Sequence, residues 1–384
     1  MQDEYGDMDS SGETFHIARF ELESGRVLEN VQIRYRTYGE LSGERDNCVV
    51  VCHALTGNAS VHSWWKEIFG ENKLLDPSRT FIVCANVLGS CYGTTGPTTI
   101  DRKTKRPYGQ SFPDVTIRDT VRSQILLVKE KLGVRQVACV IGGSMGGMQT
   151  LEWGALCCDT NFVKTIIPIC CGSHHHAWQI GISETQRQAI YADPDWKNGN
   201  YYDTGKRPNR GLAVARQIAM FSYRSHEAYE SKFGRRVVVD DVKKKKDDND
   251  QGQEVRYDVE KYLHYQGKKF LTRFDALSYI KCTRQMDSHD VGRGRGGIKR
   301  ALSRMKMPSL VISVSSDALY PPSEQKKLHK LLPNSEYFMV KSSNGHDGFL
   351  LDHEVIMPVA LNFLQKHAGV KMFGARGGSG MSKL

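Results

Sequence analysis

The chain has 384 residues, of which 39% are hydrophobic and 25% are charged, a balance typical of a globular protein with a sizeable core. No apolar run reaches about 18 residues, which argues against a membrane-spanning helix. The net charge of +10 is diffuse, and the basic run 243–246 is followed at once by aspartates, so we expect no nucleic-acid partner.

The first residues, 1–14, are acidic and polar, which predicts a flexible start rather than a secretory signal. Six of the ten cysteines lie in apolar runs, as is typical of buried free thiols. No CxxC pair occurs, so the spacing favours neither a disulfide framework nor a zinc site. We therefore predict a reduced, intracellular protein that holds no metal.

Regular alternation of apolar and polar residues at 15–22 and 31–38 predicts two antiparallel strands at one edge of a sheet. Six continuous apolar runs follow, which predict strands covered on both faces. A helical stripe at 116–132 lies between two of them. Alternating strands and helices predict an α/β fold with a mostly parallel central sheet. The six runs are 48–52, 81–87, 137–141, 165–171, 310–314 and 337–340.

Residues 174–299 combine helix-compatible polar and aromatic residues with no clear strand except 236–239. They predict a helical lid inserted into a sheet domain of residues 15–173 and 300–369. A charged run at 240–250 predicts a disordered or solvated loop inside this lid. An insertion at this place covers the carboxyl ends of the strands, where open α/β sheets bind ligands.

The final segment, 370–384, contains a glycine- and serine-rich stretch and predicts a flexible tail. It ends in Ser382, Lys383 and Leu384, which match a peroxisomal address, although chance explains a tripeptide equally well. We expect a cytoplasmic protein, or a peroxisomal one if the tripeptide is read.

The sharpest chemical signal is Gly-x-Ser-x-Gly, formed by Gly142, Ser144 and Gly146 between an apolar strand and a helical run. This context predicts a nucleophile elbow, in which the serine lies on a tight, strained turn. The two glycines are needed because the turn brings their backbones together. The backbone N–H of Met145 then becomes a candidate oxyanion donor at the start of the helix.

A nucleophilic serine needs a histidine base and an acid that orients it. Asp317 follows the strand 310–314, and His346 follows the last predicted strand, so both belong to the same sheet edge as Ser144. Asp352 is a rival acid, but it follows the histidine in the chain. The histidines at 174–176 precede the lid and favour a loop rather than a metal site.

The second oxyanion donor is expected from the loop after an early strand. That loop is 53–59, and we predict the backbone N–H of Leu55 as the donor. His53 is expected to be structural, because His346 fits the role of base better.

Several longer motifs go beyond the elbow, and with them the chain resembles the homoserine O-acetyltransferase family over about 15–364. The resemblance implies an α/β-hydrolase fold with a helical lid, a triad of Ser144, Asp317 and His346, and a homodimer formed through the lid. It also implies ping-pong transfer of acetyl from acetyl-CoA to L-homoserine in methionine biosynthesis, without a cofactor. The motifs are HALTGNA at 53–59, NVLGSCYGTTGP at 86–97, YGQSFP at 108–113, GGSMGG at 142–147, YLHYQGKKF at 262–270 and GHDGFL at 345–350.

The resemblance further suggests a clamp for the amino acid. Arg216 and Tyr223 are seven residues apart on a predicted helix, and Arg216 suits a carboxylate, whereas Asp347 suits an ammonium group. The alternatives are a lid salt bridge for Arg216 and a turn cap for Asp347. Arg293 and Arg295 could bind CoA phosphates, but a solvated basic loop is the simpler interpretation.

Related activities share part of these motifs. Serine as the acceptor and succinyl-CoA as the donor remain open alternatives. A carboxylesterase would share the triad but would not need the clamp, and a non-catalytic binding protein would need no complete triad.

Overall fold

The structure, a computed structural model, describes residues 11–238 and 255–373. The charged run 240–250, residues 1–10 and the carboxyl-terminal tripeptide 382–384 lie outside the described residues, so the predictions made for them stay predictions.

The described residues contain one eight-stranded sheet with the order β1-β2-β4-β3-β5-β6-β7-β8. The pairs β1–β2 and β2–β4 are antiparallel, and the other neighbours are parallel. The predicted mostly parallel sheet with an antiparallel edge is therefore confirmed. The strands are β1 (Glu13–Glu21), β2 (Val27–Tyr38), β3 (Cys48–Cys52), β4 (Phe81–Ala85), β5 (Val137–Gly143), β6 (Ile166–Ile169), β7 (Ser309–Val314) and β8 (Ser335–Val340).

The central strands are continuously apolar because both faces of the sheet are covered. In β3, Cys48, Val50 and Cys52 pack into one core, whereas Val49 and Val51 pack into the core on the opposite face. A period of two in a strand thus distributes one apolar run between two cores.

Thirteen α-helices occur in the part of the chain that the structure describes. Helix α2 begins with a capping box, in which the Thr116 side chain accepts from Asp119 N–H and Asp119 accepts from Thr116 N–H. The helices are α1 (Val61–Trp64), α2 (Ile117–Leu126), α3 (Met145–Leu156), α4 (Ala177–Tyr191), α5 (Asn209–Tyr223), α6 (His226–Lys232), α7 (Asp258–Phe270), α8 (Ala276–Asp287), α9 (Ile298–Arg304), α10 (Pro322–Leu331), α11 (Gly348–Leu351), α12 (His353–His367) and α13 (Val370–Phe373).

Helices α4 to α8 form the insertion between β6 and β7, which we call the lid, and α5 packs against α4 and α7. The strand predicted at 236–239 is reduced, up to residue 238, to a single bridge between Val237 and Tyr257. Strand β1 begins at Glu13, inside the segment predicted to be flexible, because its residues from Glu13 to Glu21 pair with β2. Helix α13 likewise falls inside the predicted flexible tail.

The ten cysteines are all free thiols, as the sequence predicts. Within the described ranges, no helix has the length and apolarity needed to cross a membrane.

The basic loop that contains Arg293 and Arg295 is held by a group of charges that we call the Glu152 network. Glu152 on α3 is buried and accepts from Arg118 Nε at 2.7 Å and from Arg295 Nη1 at 2.9 Å. Glu23 binds Arg118 at 2.6 Å and Arg293 at 2.7 Å. Both loop arginines are therefore paired with carboxylates of the protein, and neither the CoA-phosphate hypothesis nor the solvated-loop interpretation gains support.

Candidate active site

Ser144 lies at the junction of β5 and α3, with φ of 60° and ψ of −125°. Few residues other than glycine adopt a positive φ, so this backbone is strained. The conformation is held by the Ser144 N–H, which donates to the Ile169 carbonyl at 3.0 Å, and by the bond from Met148 N–H to the Ser144 carbonyl. The structure therefore has the strand–turn–helix geometry that a nucleophile elbow requires.

The glycines around Ser144 are required by close backbone packing. A Cβ atom on Gly142 would lie 2.6 Å from the Gly146 carbonyl oxygen, and one on Gly146 would collide with the Cys52 carbonyl. The predicted reason for these glycines, a close approach of the two backbones, is confirmed.

The predicted base and acid are hydrogen-bonded to each other. His346 Nδ1 donates to Asp317 Oδ2 at 2.7 Å, and both side chains are buried. The other Asp317 oxygen accepts from the backbone N–H groups of Leu319 and Tyr320 at 2.9 and 2.8 Å. Asp317 therefore accepts enough hydrogen bonds to keep the carboxylate, and with it the imidazole, in one orientation.

The rival acid has a different role, because Asp352 accepts from the Asn344 side chain at 2.9 Å. In the described part of the chain, His346 Nε2 is buried and makes no hydrogen bond. This is the nitrogen that a serine nucleophile would need as its proton acceptor.

Ser144 and His346 line one cavity of about 500 Å³, a volume that includes its open mouth. Aromatic and aliphatic side chains dominate its wall, so the cavity suits a small apolar acyl group. The remaining lining residues are Ala54, Leu55, Thr56, Gly57, Trp64, Tyr223, Asp347, Phe349 and Leu350.

The two predicted oxyanion donors belong to elements that meet at this cavity. Met145 is the first residue of α3, where backbone N–H groups lack an intrahelical acceptor. Leu55 lies in the loop after β3 and lines the cavity with Ser144. His53 supports that loop, since its Nδ1 donates to Ala54 O at 2.8 Å and its Nε2 accepts from a backbone N–H. Burial lowers the pKa of His53 to about 4, so it is neutral.

The lid contributes to the other side of the cavity. The Tyr223 ring lies 6.0 Å from the His346 ring, and Arg216 is buried with its guanidinium 5.1 Å from the centre of the Phe270 ring. Burial raises the pKa of Tyr223, while the nearby charge of Arg216 opposes that rise and the charge of Asp347 adds to it. The structure thus brings the three predicted clamp residues into one neighbourhood, although Arg216 does not itself line the cavity.

Sequence reasoning missed the partner of Asp347. Arg224 Nε lies 3.1 Å from Asp347 Oδ2, and both side chains are nearly buried. The available signal was the position of Arg224 directly after Tyr223, at the end of the helix that was predicted to face the site.

Cys170 lies beside the acid and base, and its sulfur is within 4.8 Å of ligand atoms of Asp317 and His346. Three such groups resemble a metal-binding set. Burial, however, raises the pKa of Cys170 well above its ordinary value, so the sulfur stays a neutral thiol. His346 and Asp317 are bonded to each other, and the second Asp317 oxygen accepts from two backbone N–H groups, so the arrangement suits a histidine–carboxylate pair better than a metal.

A family model for the alpha/beta hydrolase fold matches residues 47–352. Homoserine O-acetyltransferase of Nostoc punctiforme is 49% identical over 338 residues, which are 87% of this chain and 90% of the relative. Among solved structures, homoserine O-acetyltransferase from Bacillus anthracis has a TM-score of 0.81 at 26% identity, covering 93% of this chain and 98% of that chain.

Esterase E22 has the same TM-score, 0.81, at 24% identity, and the match covers 92% of this chain and 99% of the esterase. Backbone similarity alone therefore does not separate a transferase from an esterase. Sequence identity does separate the two classes, because the relatives that are 43%, 47% and 49% identical over nearly the whole chain are homoserine O-acetyltransferases.

Proposed function

The chain belongs to the homoserine O-acetyltransferase family and is an O-acyltransferase of the α/β-hydrolase fold, and we propose that Ser144 is its nucleophile. Its reaction transfers acetyl from acetyl-CoA to the hydroxyl of L-homoserine. The observation that carries the assignment of Ser144 is the strained elbow in one cavity with the His346–Asp317 pair.

In the first half-reaction, His346 Nε2 accepts the proton of Ser144 Oγ while that oxygen attacks the thioester carbonyl. The N–H groups of Leu55 and Met145 stabilise the oxyanion, each worth about 3–4 kcal/mol in comparable enzymes. The C–S bond then breaks, and the CoA sulfur takes the proton from His346. Acetyl remains on Ser144.

In the second half-reaction, His346 accepts the proton of the homoserine hydroxyl, whose oxygen attacks the acetyl carbonyl of the acyl-enzyme. The bond from that carbonyl to Ser144 breaks, and His346 returns the proton to the serine. Asp317 holds the charged imidazole in both halves through its 2.7 Å bond. This chemistry requires no metal or prosthetic group.

The homoserine is held between the lid and the sheet edge. Arg216 attracts the substrate carboxylate, and Tyr223 contacts the substrate beside His346. Asp347 lines the cavity beside His346, and its carboxylate receives the substrate ammonium. Fixed placement of this acceptor is what allows an amino acid to compete with water for the acyl-enzyme.

The lid also forms the dimer contact. Phe221 and Val214 on α5 and Tyr265 on α7 are large apolar side chains with 66%, 43% and 40% of their surface exposed. Phe221 and Val214 are seven residues apart, and therefore on one helix face. A second copy of the chain is the partner that this face would bind, and Phe221→Glu should yield monomers in sedimentation velocity.

The test is CoA release by the purified protein, with homoserine or serine as acceptor and acetyl-CoA or succinyl-CoA as donor. We expect release that depends on homoserine and acetyl-CoA, and its loss in Ser144→Ala. Release that is independent of any acceptor would identify a hydrolase and overturn the proposed clamp. Acetylation of Ser144, detected by mass spectrometry before homoserine is added, tests the ping-pong order separately.

A further inference from the structure

One arginine of the lid is bonded to the loop that carries the proposed oxyanion donor Leu55. We call residues 53–59 the oxyanion loop. Arg273, three residues after the end of α7, donates from Nη1 to the Thr56 carbonyl at 3.0 Å and to Tyr92 Oη at 3.1 Å. Its guanidinium lies 4.9 Å from the centre of the Phe270 ring. The side chain is therefore held on two sides while it contacts the loop.

The two ends of the oxyanion loop are anchored by the sheet domain. Gln149 on α3 donates to the His53 carbonyl at 3.0 Å, and the Trp64 indole donates to the Asn58 carbonyl at 2.9 Å. Thr56 lies between these anchors, and the bond that reaches its carbonyl comes from the lid. Inside the loop, the Gly57 N–H donates to the Ala54 carbonyl at 2.9 Å and closes the turn around Leu55 and Thr56, and the bond from Arg273 attaches this turn to the lid.

Position matters here because an oxyanion donor works at about 2.7–3.1 Å from the developing charge. The turn is closely packed, because a Cβ atom on Gly57 would lie 2.9 Å from the Cβ of His53. A charge-assisted bond to Thr56 restrains the peptide groups next to Leu55 in a way that the distant ends cannot. It also places a positive charge near the site where the negative charge develops.

We propose that Arg273 is a positioning residue that couples the docked lid to the oxyanion hole. It touches neither acetyl group nor acceptor; it acts by holding Thr56, and through Thr56 the N–H of Leu55. This inference rests on the proposed function in one respect, namely that Leu55 is an oxyanion donor. It separates the lid into an acceptor-binding part at Arg216 and a part that serves the chemistry of both half-reactions.

The experiment compares Arg273→Gln and Arg273→Lys in the full-length protein, with Arg284→Gln as the matched control. Arg284 is a lid arginine on α8 that pairs with Asp114 at the surface. Acylation of Ser144 is followed with acetyl-CoA and with p-nitrophenyl acetate, which contains no CoA. The homoserine KM is measured in the complete reaction.

We expect Arg273→Gln to slow acylation about 30- to 100-fold with both donors, somewhat less than the loss of a whole oxyanion donor. The homoserine KM should stay within threefold, and Arg273→Lys should recover about tenfold, because lysine can still reach one acceptor. Arg284→Gln should acylate at the wild-type rate.

Acylation by Arg273→Gln within threefold of wild type would overturn the proposal. A loss confined to acetyl-CoA would make Arg273 a CoA-binding residue, and a loss confined to homoserine KM would make it part of the clamp; both outcomes contradict a positioning role. Tyr92→Phe is a milder second variant that loosens the same arginine and should slow acylation about threefold to tenfold. The ester assay uses no homoserine, so it reports on Arg273 even if the proposed acceptor is wrong.

Discussion

The cavity is bordered by the sheet edge on one side and by the lid on the other. The side chains of these two regions are held in place in different ways. At the sheet edge, Ser144, Asp317 and His346 each follow a strand of the sheet, and backbone bonds fix the turns that carry them. On the lid face, Arg216 and Arg273 take their places through helix packing and ring contacts. The first region is determined by strand order, the second by how an insertion docks.

This difference indicates where the choice of reaction resides. In the proposed mechanism the sheet edge provides acyl transfer to and from Ser144, a chemistry that esterases and acyltransferases on this fold have in common. The acceptor is then selected by whatever the lid places opposite His346. We therefore expect substitutions at the sheet edge to affect both half-reactions, and substitutions on the lid face to affect one half or to act through the oxyanion loop.

The largest expected effect is at the acid of the sheet edge. Asp317→Asn should lower kcat about 10⁴-fold, because an amide favours the wrong tautomer of His346. Acylation by acetyl-CoA and deacylation by homoserine should both slow, with little change in melting temperature. Stopped-flow measurement of the two half-reactions checks this, and a loss in only one half would contradict a shared base.

The next largest effect tests whether the Glu152 network has a structural role. Glu152→Ala should lower the free energy of unfolding by about 3–5 kcal/mol, since it leaves Arg118 and Arg295 without their buried carboxylate. Urea titration measures the change. The control is Glu336→Gln, whose ion pair with Lys366 is largely exposed and should change stability by less than about 1 kcal/mol.

If folded Glu152→Ala protein retains wild-type KM values for both substrates, the network is structural. A selective rise in the acetyl-CoA KM would instead revive a CoA site at Arg293 and Arg295.

Much of the sheet edge could be predicted from sequence because its signals are local. Continuous apolar runs indicate buried parallel strands, and the glycines at 142 and 146 mark the elbow within five residues. The order of acid and base then follows from their positions after β7 and β8. Strand ends of a parallel sheet meet at one edge, so three separate local signals predict one site.

The lid contacts could not be predicted, because their partners are distant in sequence. Arg273 meets Thr56 across 217 residues, and Arg293 meets Glu23 across 270. Contacts between residues so far apart leave no spacing pattern in the sequence. An arginine beside glycines is as compatible with a phosphate-binding site as with an ion pair. The helix at 209–223 was predictable as a helix, but the residue that pairs with Asp347 was not.

A moderate effect is expected at Arg216 on the lid face. Arg216→Lys should raise the homoserine KM about 30- to 100-fold, which corresponds to the loss of a bidentate charge-assisted contact of about 2–3 kcal/mol. Acylation by p-nitrophenyl acetate should remain within threefold. Arg210→Gln, an exposed arginine on the same helix, is the control. Equal losses in both measurements would mean that Arg216 supports the packing of the lid rather than binding the acceptor.

The smallest effect is expected where the lid joins the sheet edge. His176, just before α4, lies with Nε2 2.7 Å from Glu324 on α10. Burial raises the pKa of Glu324 to about 7 and lowers the pKa of His176 to about 4. Between these values both side chains of the pair are neutral. The other titratable groups around this pair are His174, His175, Lys327 and Asp317.

The two shifts have opposite consequences for stability. The folded state binds the Glu324 proton more tightly than the unfolded chain, so this stability is complete below about pH 4.5 and is lost as pH rises through about 7. His176 acts in the other direction, because its stability is present above about pH 6.5 and is lost as pH falls towards 4. The terms offset each other between about pH 4.5 and 6.5.

The free energy of unfolding should therefore be nearly flat from pH 5 to 6.5 and fall by about 0.5 kcal/mol by pH 8. In Glu324→Gln the fall above pH 6.5 should disappear, because glutamine has a similar shape and does not titrate. In His176→Gln the compensation is removed, so the fall should begin near pH 5. Urea unfolding at five pH values distinguishes these profiles. If the fall above pH 6.5 disappears in His176→Gln, the histidine is the group that titrates there, and Glu324 is ionised in the fold. The junction would then be an ion pair, like the pairs of the Glu152 network.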